Sequence, residues 1–322
     1  MSHWTVVIID YNNCKDSHYK IGYNDVVIDD NGRAHDGSGQ YAVQSKPNAP
    51  VVFEERDMHD FGTGSVPSHR HPNGEGWVAD TAYVEDAVYI DKEAVVSDNA
   101  KVLEKARVCG SSVISNNATV SGSSLINNAS VSGNAEVSGD AMVDNGAAIS
   151  GFARVIQRAF ISGRVDVHGR ALVGGKAQVL DKATVAGQAR VLDMAVVSGE
   201  ARIDGAARIL NEAIATGSAV VTDNATLLDS ASISGSASMF GSSIAQHNAC
   251  VMDASVLDGN AIVSDSAHIG NLASVDGHAR VEGEVRIGSN VVVTDNACVV
   301  GTGALTVTNT KIGGDTFLDL EY

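Results

Sequence analysis

No proline occurs after Pro72 in this 322-residue chain; the other three are Pro47, Pro50 and Pro67. A proline deletes a ladder donor, so its absence over such a length fits uninterrupted β-pairing. Aromatic residues are equally scarce beyond the start. Ten of the 15 lie before residue 90, and both tryptophans, Trp4 and Trp77, lie before residue 80. The chain therefore divides into two regions of different character, with the boundary near Asn73–Trp77.

Cysteine is sparse and scattered: Cys14, Cys109, Cys250 and Cys298 form no C-x-x-C pair. That argues against a disulfide framework or zinc ribbon and suits a reducing, cytoplasmic setting. No apolar run approaches the ~18 residues of a membrane span. The opening MSHWTVVIID lacks a basic n-region, so no signal peptide is expected. Positive charge is also short, with 22 Lys and Arg against 39 Asp and Glu, a net of −17. Such a surface repels phosphate backbones and argues against direct nucleic-acid binding.

What is present is a repeat. From Ala129 to Thr302, 29 hexads follow one another without insertion or deletion. Slot one is Ala in 24 of them, the exceptions being Val165, Ser243, Ser255, Val285 and Val291. Slot three is Val, Ile, Leu or Met in all but Ala215 and Ala245, and slot five is Gly, Asn or Asp in 26. A less regular run from Thr81 to Asn128 precedes it, reading as one extra residue near Glu93 and one missing near Ser124. Self-similarity on this scale decides the fold before any single motif does.

Slots one and three alternate with slots two and four, which is strand periodicity, so Ala and Val face one side. A helix needs apolar spacings of three and four, and these are two and six. Slot five holds residues that tolerate positive φ, which places a corner there. Three corners close a triangle of eighteen residues. The recurrence of Arg190-Val191-Leu192-Asp193 as Arg208-Ile209-Leu210-Asn211 and Thr226-Leu227-Leu228-Asp229 supports that closure. The sequence thus predicts an all-β triangular prism of about 12 coils, with a bore filled by Ala and Val. Binding or chemistry must lie outside it or at its ends.

These hexads resemble the hexapeptide-repeat superfamily, whose fold is a left-handed parallel β-helix; the handedness comes from that resemblance alone. Many members are CoA-dependent acyltransferases and some are zinc carbonic anhydrases. The wording NASVSGNAEVSGDA, with the lead-in NGEGWVADTAYV, looks more like repeat proteins of phages and prophages. Two departures separate the chain from the enzymes. In the regular run only Gly174, Gly270 and Gly288 directly follow the core aliphatic residue, where the enzymes usually carry glycine. The unbroken hexads also leave no extruded loop of the kind that helps build the enzymes' active sites.

Eighteen-residue spacing sorts outward residues onto three faces. One carries Ile156, Gly174, Leu192, Leu210 and Leu228, flanked by Arg154, Arg190 and Arg208. Its neighbour carries Met142, Phe160, Gln178, Val196 and Ile214. The third is polar, with Asp166, His168, Thr184, Arg202, Asp204 and Thr222. Strand propensity alone places Val and Ile outward, but it accounts less well for Leu192, Leu210, Leu228, Met142 and Phe160. Contiguous apolar columns mark interfaces. Self-association is expected, most simply as a cyclic trimer of the kind common in the resembled superfamily.

His247 occupies a corner between the two apolar faces, one coil beyond Asp229. As a general base it would suit an acyltransferase; as a corner residue it needs no function, since His is enriched at positive φ. His168 lies near Asp166, and His268 and His278 are outward with no visible partner. In ERDMHDFGTGSVPSHRHPNG, His59, His69 and His71 form a candidate metal set, although the spacing fits no specific zinc motif.

The organisation expected is a β-rich N-terminal cap over 1–76, a β-helix over 77–302 and a C-terminal cap over 303–322, since repeat ends need covering. The function expected is a non-catalytic assembly or binding protein presenting its polar face or N-terminal region to a protein partner. The alternatives are an acyltransferase using acetyl-CoA or another acyl-CoA, and an acidic nucleic-acid mimic that binds a host enzyme.

Overall fold

The computed structural model describes residues 57–306 and 308–320, together with short strands between Tyr19 and Phe53. The chain forms two compact units, residues 1–69 and 70–322. In the first, Asn24–Ile28 pairs antiparallel with Tyr19–Ile21 and with Ala34–Asp36. Asn31-Gly32, a hairpin-turn signal in sequence, and the strand-like run WTVVIID lie outside the described residues. Asp57–Asp60 pairs antiparallel with Ser65–Arg70. Its turn is held by the Asp60 carboxylate, which accepts the Gly62 and Gly64 N–H groups at 2.8 and 3.0 Å.

The second unit is an all-β parallel solenoid of about 14 turns, consistent with a left-handed β-helix. The described residues contain no helix. Three parallel ladders form its faces. The first face begins at Trp77–Ala79 and ends at Lys311–Ile312, the second runs from Tyr83–Val84 to Phe317–Leu320, and the third from Tyr89–Ile90 to Ala304–Leu305. Successive strands pair at eighteen-residue register, as in Arg190↔Arg208 and Val196↔Ile214.

The register corrects the start of the repeat. Trp77 pairs Val95, Tyr83 pairs Lys101 and Tyr89 pairs Arg107, all eighteen apart, so there is no extra residue near Glu93. Val88, not Ala87, fills slot one and is fully buried. The missing residue lies at the Asn127–Ala129 corner, where the offset falls from eighteen at Arg107↔Leu125 to seventeen at Val113↔Ser130. At the other end Val292 pairs Lys311 and Cys298 pairs Phe317, nineteen apart. The tail therefore leaves the hexad phase by one residue while its strands stay in the ladders.

Slots one and three point into the bore, and nearly all are fully buried, from Val88 to Val299. Where serine replaces alanine at slot one, its hydroxyl donates to the carbonyl three residues back. Ser112 reaches Cys109, Ser243 reaches Phe240 and Ser255 reaches Met252, at 2.6, 2.8 and 2.7 Å. A buried polar group is tolerated only when paired in this way.

Each corner is a tight turn with positive φ at its first central residue: +63° at Asp193, +61° at Asn211 and +57° at Asp229. The turn closes on a slot-one N–H, as in Ala195 N–H to Leu192 O at 3.2 Å. On one edge, the five stacked corners Gly133, Gly151, Gly169, Gly187 and Gly205 are all glycine. A Cβ on Gly151 would stand 2.9 Å from the Gly169 carbonyl oxygen, so stacking as well as φ selects glycine there.

Candidate functional site

The slot-five N–H of a regular corner has no partner in the ladder, and a side chain one coil earlier often takes it. Asp181 accepts from Gly199, Asp193 from Asn211, Asp223 from Gly241 and Asp265 from Gly283, at 2.9 to 3.2 Å. A donor left unpaired away from water would be costly, so these carboxylates act as corner caps. This accounts for the Asp and Asn at slot five beyond their tolerance of positive φ.

His247 belongs to this column. Its backbone N–H donates to Asp229 Oδ2 at 3.2 Å, so the Asp229 carboxylate holds the histidine's backbone. The ring instead faces the next coil, with Nδ1 3.1 Å from Asp265 Oδ1 and 3.3 Å from the Asp265 backbone N. A His–carboxylate pair can orient a general base when Nδ1–H donates and Nε2 keeps its lone pair. Accepting the Asp265 N–H would instead place the proton of a neutral ring on Nε2, leaving no lone pair there. His247 is exposed, with φ +59°. Asp265 is the partner that residue-by-residue reading missed; adding eighteen to 247 finds it.

The apolar columns are stacked as expected, the third-face one interrupted by Gln178 between Phe160 and Val196. Met142 pairs Phe160 and Val196 pairs Ile214 on the third face, with Met142 36% and Ile214 42% exposed. On the second face Ile156, Leu192, Leu210 and Leu228 are half-buried. Ile156 and Leu192 close over Gly174: a Cβ there would stand 3.1 and 3.3 Å from their side chains. Beside them Arg190 and Arg208 are register neighbours, and neither is ion-paired among the described residues. Arg154 differs, with Nε 2.8 Å from Glu136 Oε2.

The first face is polar where expected. His168 Nδ1 lies 3.2 Å from Asp166 Oδ1, and Arg202 pairs Asp204 at 2.6 Å. The Arg202 hydrogen bond, helped by the Gly205 N–H, holds the Asp204 carboxyl below its ordinary value. His278 has a neighbour after all, Asn260 Nδ2 at 3.3 Å from its Nε2.

In the metal set, the His59 ring packs edge-on against Phe61 at 4.7 Å. His69 lies on the strand Ser65–Arg70. His71 is 2% exposed, with Nδ1 3.3 Å from Asn73 N and Nε2 without a partner. Among the described residues no three His, Cys, Asp or Glu side chains are gathered as a metal-holding group. No helix among them is long and apolar enough to cross a membrane.

No family model and no curated protein matches the chain. Two solved structures are similar over part of it. One is a "putative acetyltransferase" from Desulfovibrio desulfuricans G20, 12% identical over 67% of this chain and 66% of that one, with a TM-score of 0.16. The other is a UDP-N-acetylglucosamine acyltransferase from Campylobacter jejuni, 13% identical over 64% and 67%, also with a TM-score of 0.16. At that level the likeness carries no argument about activity.

Proposed function

We propose that this chain is a non-catalytic β-helical assembly protein, self-associating through its second and third faces, most simply as a homotrimer. The supporting observation is the pair of mainly apolar columns on adjoining faces, Ile156–Leu228 and Met142–Ile214, the latter broken by Gln178. The polar first face, around Asp166, His168 and Asp204, or the N-terminal unit, would remain for a protein partner. Light scattering of the Leu192→Asp, Leu210→Asp double variant tests the reading. A fall in particle mass supports it, and an unchanged mass overturns it.

One observation favours acyl transfer as a second reading: the His247 ring beside the Asp265 carboxylate at 3.1 Å. It would use acetyl-CoA or another acyl-CoA, with His247 as base. The competing Asp265 N–H and the corner capping by Asp229 already account for the residue, so assembly is preferred. Titration with acetyl-CoA separates the two readings.

A further inference from the structure

The third face changes character along its length. Its outward column is apolar from Met142 to Ile214 except at Gln178, then continues as Ser232, Cys250, His268, Arg286 and Ala304 in eighteen-residue register. Around the last three lies a hollow of about 300 Å³, lined also by Ser266, Glu284 and Thr302. It opens where the short Ala304 follows the long Arg286 side chain one coil later.

The hollow carries charges of both signs. Within one hexad, oppositely charged residues two apart bind each other, as in Arg202–Asp204 at 2.6 Å and Arg280–Glu282 at 3.8 Å; across a buried slot-one residue they do not pair among the described residues, as Glu200 and Arg202 take other partners. Glu284 and Arg286 flank the buried Val285 in this second way, and among the described residues neither is in an ion pair. Both line the hollow, with His268, Ser266 and Thr302. A simple anion would meet the guanidinium but be repelled by the carboxylate, and a simple cation the reverse. A molecule carrying both charges satisfies both groups.

We infer that this hollow binds a small zwitterion, a free α-amino acid whose carboxylate lies on Arg286 and whose ammonium lies on Glu284. The guanidinium fork matches a carboxylate in two-point geometry, and the hydroxyls supply further donors and acceptors. The volume is at the small end of ligand sites. The hollow lies beyond the apolar columns, so the inference does not depend on self-association.

Calorimetric titration of the full-length protein with L-alanine, acetate, methylammonium and inorganic phosphate tests it. Saturable binding of L-alanine is expected, with acetate and methylammonium at least about tenfold weaker. Arg286→Gln and Glu284→Gln should each weaken L-alanine by about tenfold or more without changing particle mass. Acetate or phosphate binding as tightly as L-alanine would show an anion site and overturn the inference. Absence of L-alanine binding, or an unchanged affinity in Glu284→Gln, would overturn it equally.

Discussion

The Asp229 carboxylate accepts the backbone N–H of His247 from the next coil at 3.2 Å, so the two residues are linked through the edge of the prism and not through the imidazole. Asp229→Gly, which leaves the +57° φ unstrained, should therefore cost about 1 kcal/mol, as loss of a capping hydrogen bond does elsewhere. Chemical denaturation measures it. Asp193→Gly should behave alike, and a negligible cost at both positions would remove the capping role.

His247→Asn should retain stability, because Asn also tolerates positive φ, whereas His247→Val should lose roughly 1–3 kcal/mol. The assembly reading further expects no change in melting temperature at millimolar acetyl-CoA. A saturable rise that His247→Asn abolishes would move the balance to acyl transfer.

Ser243→Ala should alter stability by less than about 0.5 kcal/mol, since alanine is the usual slot-one residue and the Phe240 carbonyl keeps the Ser243 backbone N–H at 3.2 Å. Ile209→Ala, which empties part of a fully buried site, should cost about 2–5 kcal/mol. Denaturation midpoints of the two variants, measured together, separate a paired hydroxyl from a packed side chain.

Glu136 and Arg154 set a pH dependence of known sign. The Arg154 hydrogen bond holds the Glu136 carboxyl below its ordinary value. Stability from the pair is thus present above the unfolded value of about 4.3 and is lost as pH falls through the depressed folded value. Both side chains are more than a third exposed, 53% and 37%, so solvent screening limits the effect to a few tenths of a kcal/mol. Thermal melts from about pH 6 to about pH 3 should show a slightly steeper acid loss in the native protein than in Arg154→Gln.

If the apolar columns drive association, the assembly should persist in about 1 M salt, where the Debye length is near 3 Å and exposed ion pairs are screened. Sedimentation at low and high salt checks this. Dissociation by salt would point instead to Arg190 and Arg208.

The prism is legible in the sequence because each hexad repeats one physical problem: two inward side chains and one corner. Faces are legible too, since eighteen-residue spacing places Leu192 over Leu210 and Val196 beside Ile214. The irregular start is not, because Ala87 and Val88 suit slot one almost equally and only strand pairing decides for Val88. The corner caps escape a reading within single hexads because donor and acceptor lie a whole coil apart. Asp265 is missed as the His247 ring partner for the same reason.

Uniform coils also make the solenoid a ruler. Each surface group has a height fixed by its residue number, with graduations about 4.8 Å apart. Deleting residues 235–252 would remove one graduation, joining Ser234 to Asp253 at a corner of the same phase. The apolar columns and the hollow near Arg286 would keep their residues and move one step closer. Separation between two surface functions is thus an adjustable length, set by the number of coils between them.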